Sequence, residues 1–487
     1  MAFDTSSRLS NLGDERPVAV VVAVQLPDVS DGELASSIEE LERLAKTLGL
    51  DPVARITQRR GKLASGVVLG EGKLAELATW TGGTGKVEAY VKPGSRKRDE
   101  DPDESDDDDE VDDDEAESTA DAEDAADTSG AGVHARAKDQ PKATVVLVDH
   151  DLTPTQQRNL EKATGVDVLD RTSVILEIFH RHAKTREARL QVEIARLKYL
   201  APRLRESSGG GDRVRGGVGG KGAGESSLEL DRRRIRDRIA ELRGELSQIE
   251  GGAKTRRARR SDVPTIALVG YTNAGKSSLM RALTSTDVYI ADKLFATLDT
   301  TVRRLAPASD PPILVSDTVG FIKKLPHDLV ASFRSTLDEA NEADLLLHVV
   351  DAADPALADQ LAVTREVLAD VLDPVDGKEV ESWLVLNKID RVDEDGRRAL
   401  KLRYPKALQL SAKDREDVAA LREKLIGHFA GGLEEAELVV PWAAHKVAHL
   451  IHERTTVLVE EHGDEGTRFV VRAPARVLED LRAALTA

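Results

Sequence analysis

The stretch "VPTIALVGYTNAGKSSLMRALTS", Val263 to Ser285, decides the fold. Its first eight residues read as a buried strand and its last ten as a helix. Between them lies G-x-x-x-x-G-K-S, a loop that needs that strand–helix context to be meaningful. Triphosphate oxygens are negative and must be gripped closely. Gly270 and Gly275 let backbone N–H groups turn inward around a β-phosphate, and the helix N-terminus adds its positive dipole end. Lys276 is placed to reach the β- and γ-phosphates, and the Ser277 hydroxyl to ligate Mg²⁺. Tyr271, Thr272, Asn273, Ala274 and Ser278 complete the expected loop contacts.

This loop alone does not separate ATP from GTP; the strands that follow do. "ILVSDTVG" ends a strand in Asp317 with Gly320 three residues on. The carboxylate can hold Mg²⁺ through water, and the Gly320 N–H can sense a γ-phosphate. "SWLVLNKID" ends another strand in Asn387, Lys388, Ile389 and Asp390. The Asp390 carboxylate can accept from N1–H and the 2-amino group of guanine, a pair of donors adenine lacks. "LQLSAK" places Ser411, Ala412 and Lys413 to close over the base. Together these motifs predict a mixed, mostly parallel sheet with helices over 261–431, binding GTP and GDP.

Upstream, an α/β pattern starts at Pro17, after a polar tail over 1–16. "VAVVVAVQL", "VARITQ", "VEAYV" and "ATVVLVDHDL" read as strands. "DGELASSIEELERLAKTLG" and "TPTQQRNLEKATG" read as helices with glycine stops. These form an N-terminal α/β domain over 17–175, interrupted at 93–142 by an acidic stretch expected to be disordered. From Asp99 to Asp127 there are 19 acidic residues and no Lys or Arg, so the net charge of −19 belongs to this segment alone.

Over 176–260, two heptad seams follow. Leu190, Ile194, Leu197, Ala201 and Leu204 form one, and Ile235, Ile239, Leu242, Leu246 and Ile249 the other. They predict an antiparallel helical hairpin joined by a glycine-rich basic loop over 207–227. Between Arg171 and Arg260, 23 basic residues outnumber 12 acidic ones, densest in "DRRRIRDR" and "KTRRARR". That excess favours a nucleic-acid partner over a merely solvated face. At the C-terminal end, 432–487 reads as a small α/β domain: a helix, two strands and a helix. His445, His449 and His452 share a helical face there without a carboxylate or thiolate cluster, which reads as a half-exposed surface rather than a metal site. Cysteine is absent, which excludes disulfides and thiol nucleophiles and suits a reducing cytoplasm. No run reaches membrane-spanning length and no secretory h-region is visible at the N-terminus.

The NKxD and SAK motifs resemble those of translation-factor-related GTPases, and finer features resemble the HflX family. "DKLFATLDTTVRRL" (Asp292 to Leu305) is similar to its first switch, and "DTVGFIKKLPHDLVASFRSTLDEA" to its second. "LTPTQQRNLEKATGVDVLDRTSVILEIFHRHAKTREARLQVEIARLKYLAPRL" resembles its N-terminal domain and first hairpin helix, and "GVGGKGAGESSLELDRRR" its hairpin loop. The family's Arg-Gly-Pro-Gly-Glu core stands here as Lys221-Gly222-Ala223-Gly224-Glu225, and its usual proline in the first switch as Thr300. The resemblance implies a GTPase that binds the large ribosomal subunit and separates stalled or idle ribosomes. It implies that Thr297 meets Mg²⁺ and the γ-phosphate, with Phe295 beside it. Lys221, Arg232, Arg233 and Arg234 are the expected rRNA contacts. A ribosome-assembly or RNA-remodelling factor timed by GTP is a second reading, and a protein-only switch a third. The position after Gly320 holds Phe321, where many GTPases carry a water-orienting glutamine. Slow intrinsic hydrolysis follows, completed by the ribosome or by K⁺ near Asn273. A monomer is expected.

Overall fold

The computed structural model describes residues 16–87, 140–204, 227–258, 263–284, 294–295, 301–309, 312–323, 339–371, 380–431, 433–463 and 466–486. The acidic run, Glu88–Val91 of the expected "VEAYV" strand, the hairpin loop with Lys221, and Thr297 and Thr300 lie outside them. The chain divides into two compact units, Met1–Arg171 and Thr172–Ala487.

In the first unit, β1 (Val18–Gln25), β2 (Asp51–Arg59), β3 (Val145–Val148) and β4 (Asp167–Asp170) form a parallel sheet of order β2-β1-β3-β4. Helices α1 (Asp31–Leu48), α2 (Glu71–Thr81) and α3 (Pro154–Thr164) accompany it. A parallel sheet is covered on its faces, which explains why β1 and β3 are unbroken apolar runs. The helix limits follow local chemistry. Ser30 with Glu33 and Thr153 with Gln156 form reciprocal capping boxes, and Gly49 and Gly165 close the C-termini in the left-handed conformation.

The second unit opens within α4 (Arg171–His182), whose first residue closes the first unit; the sequence reading did not single this helix out. Next come α5 (Arg186–Leu200) and α6 (Ser227–Ala258). Arg186 pairs with Glu245 at 2.7 Å and Arg238 with Glu193 at 3.3 Å, so the two helices run antiparallel. Their seam holds Leu190, Ile194 and Leu242 in its centre, flanked by Leu197, Ile239, Leu246 and Ile249. The expected seam extended to Leu204; α5 instead ends at Leu200 and a 3₁₀ turn covers Ala201–Arg203. Pro202 removes a backbone donor there, which stops the α-helix.

A six-stranded sheet follows, of order β10-β9-β8-β5-β7-β6. Its strands are β5 (Thr265–Gly270), β6 (Thr301–Arg304), β7 (Leu314–Asp317), β8 (Leu345–Asp351), β9 (Glu381–Asn387) and β10 (Leu408–Gln409). Only β6 runs antiparallel. Among the described residues four helices belong to it: α7 (Lys276–Thr284), α8 (Leu357–Val371), α9 (Glu394–Arg403) and α10 (Arg415–Ala430). The C-terminal segment holds one strand more than expected: β11 (Leu433–Pro441) precedes α11 (His445–Arg454), β12 (Thr456–His462), β13 (Gly466–Pro474) and α12 (Ala475–Thr486). Ala436, Leu438 and Val440 bury alternate positions of β11, a period-two signal blurred by the exposed apolar Val439 between the last two. On α11, His452 packs edge-on against Phe469 at 5.4 Å. No metal-type cluster exists among the described residues, nor any helix long and apolar enough to cross a membrane.

Candidate functional site

The carboxyl ends of β5, β7, β8 and β9 converge on the loop that follows β5, the usual place for a ligand in an open parallel sheet. Two glycines are required there. Gly270 has φ 148°, and a Cβ on it would meet the Val349 carbonyl oxygen at 2.1 Å. Gly275 has φ 95°, and a Cβ would meet Asn387 Nδ2 at 2.2 Å. Both backbones therefore pass where no side chain fits.

Lys276, the first residue of α7, folds its ammonium back over the loop and donates to the Gly270 carbonyl at 2.9 Å and the Tyr271 carbonyl at 3.0 Å. It is 7% exposed. Burial pushes its pKa down to about 8, opposed by the charge of Asp317. The Ser277 hydroxyl donates to Asp317 Oδ2 at 2.7 Å. A hydroxyl and a carboxylate side by side form a hard oxygen donor set that suits Mg²⁺. Ser278 is half-buried in the same turn. Behind the loop, burial pushes the His348 ring down to about 4, helped by the charges of Arg365 and Lys276, so the imidazole is neutral at physiological pH.

The segment after β7 is knitted to the loop through its backbone. Thr272 N–H donates to the Phe321 carbonyl at 2.7 Å and Phe321 N–H to the Gly270 carbonyl at 3.1 Å. Phe321 is itself 3% exposed, so the position that could carry a glutamine is filled by a ring committed to the core. Gly320 lies against the loop: a Cβ on it would meet Thr272 Cα and Cγ2 at 2.9 Å and Lys276 Nζ at 3.1 Å.

The Asn387–Asp390 and Ser411–Lys413 motifs are brought to the same loop from more than a hundred residues away. Asn387 Nδ2 donates to the Ala274 carbonyl at 2.9 Å, while its Oδ1 accepts from Ala412 N–H at 3.0 Å. One side chain thus ties the phosphate loop to the Ser411-Ala412-Lys413 turn. Lys388, in the left-handed conformation (φ 61°), donates to the Asn273 carbonyl and to Asp351 Oδ2, both at 2.7 Å. Asp390 is exposed and accepts the Ser411 hydroxyl at 2.7 Å. That hydrogen bond, with lesser help from Lys413 and Arg391, holds its carboxyl below the ordinary carboxylate value. It is an ionised, open acceptor. Asn273 is exposed and also left-handed (φ 60°), a conformation asparagine tolerates better than most residues.

Two site residues escaped the sequence reading. Asp351 ends β8 as Asp317 ends β7, and its place after the buried run "LLLHVV" was the available signal. Asp417 accepts the Ser411 N–H at 2.7 Å from the first turn of α10, and nothing local marks it. The ring of Phe295, a residue expected beside the nucleotide, is turned into the protein. The residue is left-handed (φ 57°), 3% exposed, edge-on to Phe179 of α4 at 4.6 Å, and His182 Nδ1–H donates to its carbonyl at 3.0 Å. Arg232, Arg233 and Arg234 are exposed on α6, and Arg234 also pairs with Asp231 at 3.1 Å.

This fold and this arrangement define a phosphate-binding-loop GTPase. A family model described as "50S ribosome-binding GTPase" matches residues 265–388. Others described as "GTP-binding GTPase Middle Region" and "GTP-binding GTPase N-terminal" match 182–260 and 35–88 with 120–180. "GTPase HflX" of Gluconacetobacter diazotrophicus is 52% identical over 472 residues, which is 97% of this chain and 98% of that protein. Its namesake from Caldanaerobacter subterraneus is 33% identical over 476 residues, 97% and 95% of the two chains. A crystal structure described as "SsGBP and GDP complex" is 22% identical with a TM-score of 0.43, covering 84% of this chain and 97% of that one. The chain belongs to the HflX family of GTPases.

Proposed function

We propose that this protein binds GTP, hydrolyses it to GDP and phosphate, and uses its helical hairpin to engage the large ribosomal subunit, dissociating stalled or idle ribosomes under stress. The observation that carries the nucleotide part is the Asp390–Ser411 pair: an ionised carboxylate fixed by one hydroxyl, with Asn387 holding the phosphate loop to the same turn. Such an acceptor matches the two donors on guanine's edge and leaves adenine unanswered. Lys276 and the loop N–H groups would bind the phosphates, and Gly320 N–H would report the γ-phosphate. Ser277 directly, Asp317 through water, and Thr297 would hold Mg²⁺, which when bound supplies neutralisation of the phosphate charge. Phe321 can neither donate nor accept, so turnover by the lone protein is slow. The ribosome or a K⁺ near Asn273 is the missing stimulus.

The ribosomal part rests on the basic excess of the hairpin, the exposed Arg232, Arg233 and Arg234 with Lys221, and the family to which the chain belongs. These side chains would meet rRNA phosphates. The protein would act as a monomer in the cytoplasm. The test is co-sedimentation with large subunits and with intact ribosomes, in GDP and in a non-hydrolysable GTP analogue, for the native chain and a variant with Lys221, Arg232, Arg233 and Arg234 replaced by alanine. Analogue-dependent binding, subunit separation, and a shallower salt dependence in the variant are expected. Equal binding and an unchanged salt slope would reject the hairpin as the RNA contact.

A further inference from the structure

Among the described residues, three other than glycine have a positive φ: Asn273, Lys388 and Phe295. Asparagine tolerates that conformation, and Lys388 belongs to the base-reading motif. Phe295 has neither excuse. For a bulky residue the left-handed region is an outlier, because Cβ crowds the following carbonyl. Such strain persists only where the surroundings over-determine it, and it gathers at switch regions.

The surroundings here are two side chains of one helix. Phe179 and His182 stand three residues apart on α4 and so share a face. The Phe179 ring meets the Phe295 ring edge-on at 4.6 Å, and His182 Nδ1–H donates to the Phe295 carbonyl at 3.0 Å. Ring and backbone of one strained residue are thus both held from α4. The same helix runs into the hairpin with little slack. Only residues 183–185 separate α4 from α5. Ala183 N–H donates to the Phe179 carbonyl at 2.9 Å, and Arg189 Nε–H of α5 donates back to the Ala183 carbonyl at 3.2 Å. Thr185 caps α5 by accepting the Ala188 N–H. Phe179, Ala183 and Ala188 are all buried. At its other end the chain of contacts reaches the nucleotide, because Phe295 precedes by two residues Thr297, the residue expected to meet Mg²⁺ and the γ-phosphate.

We infer that α4 couples the helical hairpin to the first switch, with Phe179 and His182 as positioning residues for GTP. The element with two states is the Phe295 backbone: left-handed while α4 holds it, and at an ordinary negative φ when released. Holding it fixed two residues ahead of Thr297 removes part of the entropy that ordering Thr297 on the terminal phosphate costs. A triphosphate that draws Thr297 in acts on the same short stretch of backbone as α4. Nucleotide state and the base of the hairpin are therefore linked, and the linkage is reciprocal. The inference rests on the GTP reading above.

The experiment is hydrogen exchange of the α4 and α5 amides in the full chain with Mg²⁺, in GDP and in a non-hydrolysable GTP analogue. The affinity for each nucleotide and the melting temperature are measured alongside. The variants are His182→Ala, which removes the donor, His182→Asn, whose amide N–H replaces it, and Phe179→Leu, which stays apolar without the ring edge. In the native chain the analogue should slow α5 exchange roughly fivefold to tenfold relative to GDP. In His182→Ala and Phe179→Leu that difference should vanish, and analogue affinity should fall roughly fivefold to tenfold with GDP affinity kept. His182→Asn should restore both. If the buried Phe179→Leu chain does not fold, the two His182 variants decide. Native-like nucleotide dependence of exchange in His182→Ala would overturn the coupling. Equal losses for both nucleotides with a lower melting temperature would also overturn it, since the contacts would then serve the fold alone. A native chain that binds guanine nucleotides without any exchange difference overturns this inference alone. One that binds neither nucleotide overturns the GTP reading and this inference with it.

Discussion

Arg171 and Lys276 are buried cations at the carboxyl ends of parallel strands in two different sheets, and they are answered differently. In the first unit, Arg171 follows β4 and is 1% exposed. Its guanidinium pairs with Asp149 at 2.8 Å and with Glu40, and Asp149 also accepts the Ser37 hydroxyl at 2.6 Å. Charge meets charge there. In the second unit, Lys276 is just as buried, but its hydrogen bonds go to two backbone carbonyls and Asp317 acts on it only through space. Neutral dipoles leave most of an ammonium's field unspent. A buried cation matched by carboxylates holds a fold together, whereas one matched by carbonyls keeps its charge for a ligand.

The carboxylates show the same contrast and offer the largest expected effect. Glu40 and Asp149 are consumed by Arg171, while Asp390 is fixed by Ser411 and left exposed. In Asp390→Asn, the amide would turn a donor toward xanthine's 2-oxo group. The ratio of GTP to xanthosine-triphosphate affinity should fall by about 10⁴, the discrimination a matched polar pair provides. Nucleotide titrations check it, and unchanged GTP binding would remove Asp390 from base reading.

Next come the cations themselves. Lys276→Ala should cut GTP affinity or turnover on the order of 10³ while leaving the melting temperature level or higher, because the change removes a desolvated charge. Arg171→Ala should do the reverse. It takes the cation from two buried carboxylates and should destabilise the first unit by about 3–5 kcal/mol, with nucleotide affinity intact. Calorimetry and nucleotide binding on both variants decide. Parallel losses in either protein would break the distinction.

The smallest effect is in pH. The Lys276 pKa is depressed to about 8, so its proton is partly lost in the free protein above that pH. Bound phosphates raise the pKa, so above pH 8 binding must take up a proton. Affinity should be flat below pH 8 and fall by up to about tenfold per unit above it. The linkage for folding has the opposite sense. A lysine whose folded pKa lies below its unfolded 10.5 costs stability below pH 8 and relieves that cost as pH rises toward the unfolded value. Isothermal titration at pH 8.5 in buffers of different ionisation enthalpy would register the proton; buffer-independent heats would contradict it.

Much of this was legible in the chain. The phosphate loop, Asp317 with Gly320, the NKID run and the Ser411 turn are local patterns, each at the end of an apolar run. Helix caps and the hairpin seam were equally readable, because capping and heptad spacing act over a few residues. Less was legible where a proline or a diluted alternation intervened, as at Pro202 and in β11.

The sequence by itself determined the class of site: glycines where backbone must approach phosphate, a lysine and a hydroxyl after them, a carboxylate able to read guanine. Tertiary structure alone decided which groups complete it. Asp351 reaches Lys388 across 37 residues and Asn387 reaches Ala274 across 113. The Phe295 ring turns into α4, and the Thr272 hydroxyl is buried without a hydrogen-bond partner among the described residues. Periodicity reports only which face of an element is buried. Which polar atoms then meet, and which are left for a ligand, depends on how distant elements pack.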